Sequence, residues 1–355
     1  MKKLLYLMGI DWYWIKQRPQ IIALELQKKY QVTVVYLSEV FSKTEMRREN
    51  DEIVATTAVP ALPFRDKNKL VSQVEKLLVG RAIKNIHEYD IVWFSYPTLF
   101  KYIDPSYKGE IVYDCMDDHK ELCGDPRVGR EIASVEEKLI RRADLIFATS
   151  QILKKQMEQL GGTGKTYLSR NGFLMEHIYP LDKAEQKPSY KIGYFGTISR
   201  WMDGALLAKS LEMNKQIAYH LIGPVHQTEL PSDPRIVLEG VIEHSSLYRA
   251  VENYDCLIMP FQVNDIILAV DPVKLYEYIS MGKCIISVWY EEIDRFSPFV
   301  YFYKEEKEYI QLLEDLCAAG FPPKYTEKQQ KEFLENNSWE VRCEHIAKRL
   351  QEKRD

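Results

Sequence analysis

The sequence predicts an α/β protein of two doubly wound domains, each a parallel sheet with helices on both faces. Three observations carry this. Apolar β-type runs alternate with helical patterns along nearly the whole chain. The runs are continuously apolar rather than alternating, as strands covered on both faces are. One polar stretch, LDKAEQKPSY at 181–190, interrupts the alternation, which then restarts. A chain of 355 residues is also long enough for two domains. The expected division is a first domain over 1–180, a linker over 181–190, a second domain over 191–335 and a terminal helix over 336–355.

In the first half, strands are expected at Lys3–Ile10, Gln31–Leu37, Ile53–Val59, Asp90–Ser95, Glu110–Asp114, Asp144–Thr149 and Lys165–Ser169. Amphipathic stretches at Pro19–Lys29, Lys69–His87, Arg130–Arg142 and Ile152–Leu160 supply helices between them. In the second half, the strands read Lys191–Phe195, Ile217–Ile222, Ile236–Leu238, Asp255–Pro260, Lys283–Val288 and Val300–Tyr303. Helices fit Ala205–Met213, Ser245–Asn253, Pro272–Met281 and Glu306–Ala318. The tail from Thr326 is helical, with a break near Asn336 where Ser338 can cap a last helix. Two such domains are expected to face each other across a cleft at the carboxyl ends of their strands, where open α/β sheets bind ligands.

Composition excludes several classes. No run of about 18 apolar residues occurs, so no membrane-spanning helix is expected. The start, MKKLLYLMGIDW, has too short an apolar run for a signal peptide and reads as a first buried strand. Six cysteines without a C-x-x-C pair suggest reduced thiols and a cytoplasmic setting. Net charge is −4 and no basic stripe suggests nucleic acid. Basic residues do gather over 138–170, either as solvated helix faces or as a surface for anionic lipid. GGTGKT at 161–166 imitates a phosphate-binding loop, but Gln159 stands where that pattern needs glycine, and a helix precedes it where a strand should.

The most informative segment is VDPVKLYEYISMGKCIIS at 270–287. Asp271 is a natural N-cap, Pro272 suits the first helical position and Gly282 the position just past the helix end. The amides of Val273, Lys274 and Leu275, the positive end of the helix and the Lys274 ammonium would then converge on one spot suited to a diphosphate. Glu277 shares the face of Lys274 and could accept from both hydroxyls of a ribose.

PVKLYEY…GK before an apolar strand resembles the donor-nucleotide segment of the GT-B glycosyltransferases, and among them the retaining enzymes of bacterial surface polysaccharides, the teichuronic-acid type included. WIKQRPQIIALEL (14–26), IVYDCMDDH (111–119), EEKLIRRADLIFATS (136–150), RNGF (170–173), KIGYFGTISRWMD (191–203) and YHLIGP (219–224) extend the resemblance over almost the whole chain. It implies two Rossmann-like domains with a terminal helix crossing back to the first. It also implies transfer of a sugar from a nucleotide-diphosphate donor, UDP-linked by preference, to a hydroxyl of a lipid-linked glycan acceptor at the inner face of a membrane. No metal or other cofactor is implied.

By the same resemblance, Gly196 and Arg200 would meet the donor diphosphate and Gly9 would belong to a loop closing on it. Trp12, Tyr13 and Trp14 would line the acceptor side or serve structure. Asp117, Asp118 and His119 follow a strand; they could cap a helix, stand near sugar or acceptor, or supply a general base if the enzyme inverts. Their spacing is not the D-x-D of metal-dependent transferases. Eight positions before Glu277, where relatives often carry an acid, stands Ala269, with Asp265 and Asp271 near it. That departure keeps an inactive binding subunit open as an alternative, and the shared GT-B fold keeps open a sugar-nucleotide epimerase.

Overall fold

A computed structural model describes residues 1–14, 16–39, 54–62, 69–174, 177–226, 228–243 and 246–352. The chain forms two units, one of Met1–Asn171 with Trp339–Asp355, the other of Gly172–Ser338.

Among the described residues, unit 1 is built on seven strands: β1 (Lys3–Met8), β2 (Gln31–Glu39), β3 (Ala55–Ala61), β4 (Ile91–Phe94), β5 (Glu110–Cys115), β6 (Leu145–Ala148) and β7 (Thr166–Leu168). All neighbouring pairs are parallel, in the order β3-β2-β1-β4-β5-β6-β7. β1 pairs on both sides, Leu4 facing Val32 and Ile91, so its apolar run KLLYLM lies inside the sheet. Helices cover both faces of such a strand, and its apolar side chains are all buried. The last helix, Trp339–Glu352, packs on Arg18–Leu26 within this unit.

Unit 2 has, among the described residues, six parallel strands, β8 (Tyr190–Phe195), β9 (Ile217–Ile222), β10 (Ile236–Gly240), β11 (Cys256–Met259), β12 (Cys284–Val288) and β13 (Tyr301–Tyr303). Their order is β10-β9-β8-β11-β12-β13. One apolar cluster running from Phe173 to Leu334 forms its core. Each sheet reverses its winding once, between β1 and β4 and between β8 and β11, which marks the places where doubly wound sheets take ligands.

The polar stretch 181–190 does not bridge the units; it is docked on unit 2. Its backbone amides at Asp182 and Glu185 donate to Gly282 and Gly320 at 2.9 and 3.2 Å, and Lys283 Nζ lies 2.7 Å from Asp182 Oδ2. Polar composition marks exposure, not a change of unit, and here the exposed segment still satisfies its amides on the sheet below. The chain changes unit at 171/172 and returns at 338/339. Among the described residues no helix is long and apolar enough to cross a membrane, and all six cysteines are unbridged.

Candidate donor and acceptor sites

Helix Val273–Ser280 starts one residue later than the sequence suggests, with Pro272 at the cap position and no side-chain cap. Asp271 does not cap it. Its carboxylate is buried and paired with Arg295, which also donates to the Tyr276 hydroxyl at 2.6 Å. A guanidinium is the stronger partner for a buried carboxylate. The helix thus starts without a side-chain cap, and by helix geometry the amides of Val273 and Lys274 have no intrahelical acceptor. Val273 is exposed and Lys274 and Glu277 half-buried along one face. Leu275 is wholly buried and its amide donates to Pro272 O at 3.3 Å, so this residue belongs to the core side of the helix.

Lys274 reaches back to the loop after β8. A Cβ at Gly196 would overlap Lys274 Cε and come 2.8 Å from Nζ. Gly196 also has φ +125°, a conformation that only glycine adopts without strain. The ammonium lies 5.7 Å from the Tyr194 ring centroid, on the strand that ends at this loop, and Tyr194 donates to Thr197 O at 2.9 Å. Two distant motifs, GTISR and PVKLYEY, thus meet at the β8 switch point. Arg200 lies exposed on the same loop, and Asp203 caps the next helix by accepting from Leu206 N at 3.0 Å. Ala269 is buried behind a short helix, Asp265–Leu268, capped by Asn264. Asp265 is exposed. That helix is not legible from the residues alone, because four residues carry no periodicity.

In unit 1, Gly9 ends β1 at the other switch point, where Tyr96 fills the space a Cβ would need, 2.6 Å from the Tyr96 Cβ. The Tyr96 ring meets His119 edge-on at 5.2 Å. Of the aromatic loop, Trp12 is entirely buried, so it serves the core and not a ligand surface. Tyr13 is half-buried, edge-on to Tyr36 at 6.2 Å, and Trp14 is exposed.

The acidic residues at the end of β5 separate into different tasks. Asp114 is wholly buried and holds Arg18 bidentately, with Nε–Oδ2 2.9 Å and Nη2–Oδ1 2.7 Å. The Arg18 guanidinium also donates to Arg170 O and Ser169 Oγ and lies over Trp339. Sequence reasoning missed this pair; the only trace was an arginine before the helix-starting proline in QRPQ. Asp118 caps the helix His119–Leu122, accepting from Glu121 N at 3.4 Å. Asp117 is half-buried, and burial, assisted by Asp118 and Asp114 and opposed by Arg18, pushes its carboxyl up to about 7. His119 is buried with Nε2 lacking a hydrogen-bond partner. Burial brings its imidazole down to about 4, so it is neutral at ordinary pH. Deeper, Glu136 accepts from the Tyr113 hydroxyl and is pushed up to about 7 by burial. Among the described residues no group of three His, Cys, Asp or Glu could hold a metal ion. Lys165 of the phosphate-loop imitation donates to Arg141 O and Ala143 O, so its ammonium is occupied.

Comparison with solved structures settles the architecture. The Anabaena protein Alr3699/HepE, solved in complex with UDP-glucose, superposes with a TM-score of 0.70, covering 99% of this chain and 100% of that one at 15% identity. The lipopolysaccharide outer core galactosyltransferase WaaB gives 0.67 at 14% identity, and TarM 0.69 at 8%, each over 99% of both chains. The chain has the GT-B fold. No family model matches the sequence. A candidate teichuronic acid biosynthesis glycosyltransferase of Bacillus subtilis (strain 168), TuaH, is 23% identical over 286 residues, or 72% of this chain and 70% of its own length.

Proposed function

We propose that this GT-B protein is a glycosyltransferase that takes a sugar from a UDP-sugar and passes it to a hydroxyl of a glycan acceptor in envelope polysaccharide synthesis. The observation that carries the reading is Lys274 lying against Gly196 at the start of helix Val273–Ser280. The neighbours support it: HepE is solved with UDP and with UDP-glucose, and TuaH bears a glycosyltransferase name.

In this reading the bond from the anomeric carbon to the diphosphate breaks, a bond to the acceptor oxygen forms, and the acceptor proton leaves. Charge gathers on the departing diphosphate. Lys274, the first amides of the helix and its positive dipole end stabilise that charge, with Arg200 close by in sequence on the Gly196 loop. Glu277, on the Lys274 face, accepts from the ribose hydroxyls. These groups replace a metal ion, so activity should survive chelation. In unit 1, neutral His119 offers Nε2 as a partner for a sugar hydroxyl, and for transfer with inversion Asp117, poised near neutrality, is the group suited to take the acceptor proton. Tyr13 and Trp14 are the aromatic candidates on the acceptor side. The protein would work in the cytoplasm on an acceptor held at the inner face of a membrane.

A thermal-shift panel of UDP, GDP, dTDP, ADP and CMP in EDTA tests the donor assignment. A ligand at 100 times its Kd adds about 2.7 kcal/mol to stability. UDP should raise the melting temperature of the natural chain and not of Glu277→Ala. If none of the nucleotides raises it, the donor site is misassigned. If UDP binds but a UDP-sugar is neither transferred nor hydrolysed, the protein is a binding subunit, as Ala269 would allow.

A further inference from the structure

We infer that Arg295 is a positioning residue for the donor site: by holding the Asp271 carboxylate in the core, it keeps the start of helix Val273–Ser280 open to a diphosphate. Arg295 acts here through another residue, and its role presupposes the donor reading above.

Asp271 could serve either of two partners. The local sequence offers it to the helix. An acid directly before Pro272 makes a natural N-cap with proline at the first helical position, and its carboxylate would then accept from the amides of Val273 or Lys274. The structure shows the other partner. Pro272 has φ −79° and ψ 116°, so its backbone is extended and the helix begins only at Val273. The Asp271 side chain is turned inward, wholly buried against Arg295. The helix therefore starts without a side-chain cap, with Lys274 Nζ beside Gly196.

The connection between β12 and β13 supplies the grip. Tyr290 donates to Val270 O at 3.1 Å, and Arg295 donates to both the Asp271 carboxylate and the Tyr276 hydroxyl, the latter at 2.6 Å. One guanidinium thus ties the residue ahead of the helix to the buried side of its first turn. Its own direction is fixed by the Phe296 ring, 4.1 Å away, and by a bond from Nη1 to Glu292 O at 2.9 Å. Stability alone does not call for this arrangement. Apolar residues of similar volume hold a core as well as a buried ion pair does, or better, and Arg295 Nε is buried without a hydrogen-bond partner among the described residues. What the pair does specify is where the Asp271 carboxylate goes. Released, it would turn to the two uncapped amides that a diphosphate needs. It would also stand three residues before Lys274, near enough to draw the ammonium away from Gly196. An anion supplied by the chain would then fill the place of the anion supplied by the donor.

The test compares Arg295→Met with Arg295→Met/Asp271→Ala. Methionine keeps bulk over Phe296 and leaves Asp271 without its cation; alanine removes the competing carboxylate. In calorimetric titration with EDTA, UDP should bind the single variant about five- to thirtyfold more weakly, the equivalent of displacing a helix cap of about 1–2 kcal/mol, and the double variant within about threefold of the natural chain. A residue that merely supports the helix predicts a double variant no better than the single one, and that result overturns the inference. Hydrogen exchange on the unliganded proteins adds a readout that needs no nucleotide. The amides of Val273 and Lys274 should exchange more slowly in Arg295→Met than in the natural chain, and fast again in the double variant. Unchanged exchange in the single variant also overturns the inference. If the exchange behaves as expected but UDP does not bind the natural chain, the donor reading falls and the restraint on Asp271 stands. Should Arg295→Met not fold, Arg295→Gln, which still offers Asp271 a hydrogen bond, replaces it alone and with Asp271→Ala, and the same order of outcomes is expected.

Discussion

The start of helix Val273–Ser280 and the end of β5 are both chemistry-bearing strand-end segments, yet they treat their polar residues differently. At the first, Lys274 and Glu277 stay on an accessible face, because the one acid that could have capped the helix, Asp271, is taken by Arg295. At the second, most polar groups are consumed by the fold: Asp114 by Arg18, Asp118 by a helix cap. Only Asp117 and His119 are left for other work, and burial perturbs both. A candidate donor site made of a helix end needs little support beyond the helix. A site made of clustered carboxylates must first neutralise most of them.

The sharpest way to break this contrast is at the buried pair. Asp114→Ala strands the Arg18 guanidinium, so urea denaturation should show a loss of about 3–5 kcal/mol. A loss under 1 kcal/mol would mean that the pair is not a support of the loop. Trp12→Ala should cost a comparable ~3–5 kcal/mol as a core truncation, whereas Trp14→Ala should stay within about 0.5 kcal/mol. Equal effects would mean that the aromatic loop is not divided between core and surface.

At the helix end the effects should fall on affinity. Lys274→Ala should weaken UDP binding by roughly 10- to 150-fold, the size of a charge-assisted bond at about 1.5–3 kcal/mol, with the unliganded melting temperature nearly unchanged. Calorimetric titration decides it.

The smallest effect, in pH, separates Asp117 from His119. The Asp117 carboxyl is raised in the folded protein, so the fold binds the extra proton and loses stability as pH climbs from about 4 to 7. The His119 imidazole is lowered, so its contribution is present above about 6.5 and is lost as pH falls toward 4. Asp117→Asn should therefore gain melting temperature over the natural chain at pH 8 and little at pH 4. His119→Gln should lose less than the natural chain does between pH 6.5 and 4. Parallel curves for all three proteins would refute both assignments.

The fold was largely legible because long apolar runs report burial directly: every strand expected from composition lies at or within a few residues of an observed one. The helix of the candidate donor segment was legible because Pro272 and Gly282 bracket it closely in sequence. What the sequence hid depended on long-range pairing. Nothing local says that Asp271 answers to Arg295, that Asp114 answers to Arg18, or that Trp12 turns inward while Trp14, two residues on, stays out. The stretch 181–190 misled for the same reason, since its polar side chains conceal amides tied to Gly282 and Gly320.

Unit 1 is discontinuous: its first 171 residues are joined by Trp339–Asp355, and Trp339 lies against Arg18. During synthesis the six strands of unit 2 are all made before that closing helix exists. The later-encoded unit can therefore finish folding first, while the earlier one waits with the surface of Arg18–Leu26 uncovered until the closing helix has been made. A nascent chain stalled before residue 339 should expose that surface to chaperones, and a nick at 338/339 should injure the amino-terminal unit rather than the one beside it in sequence.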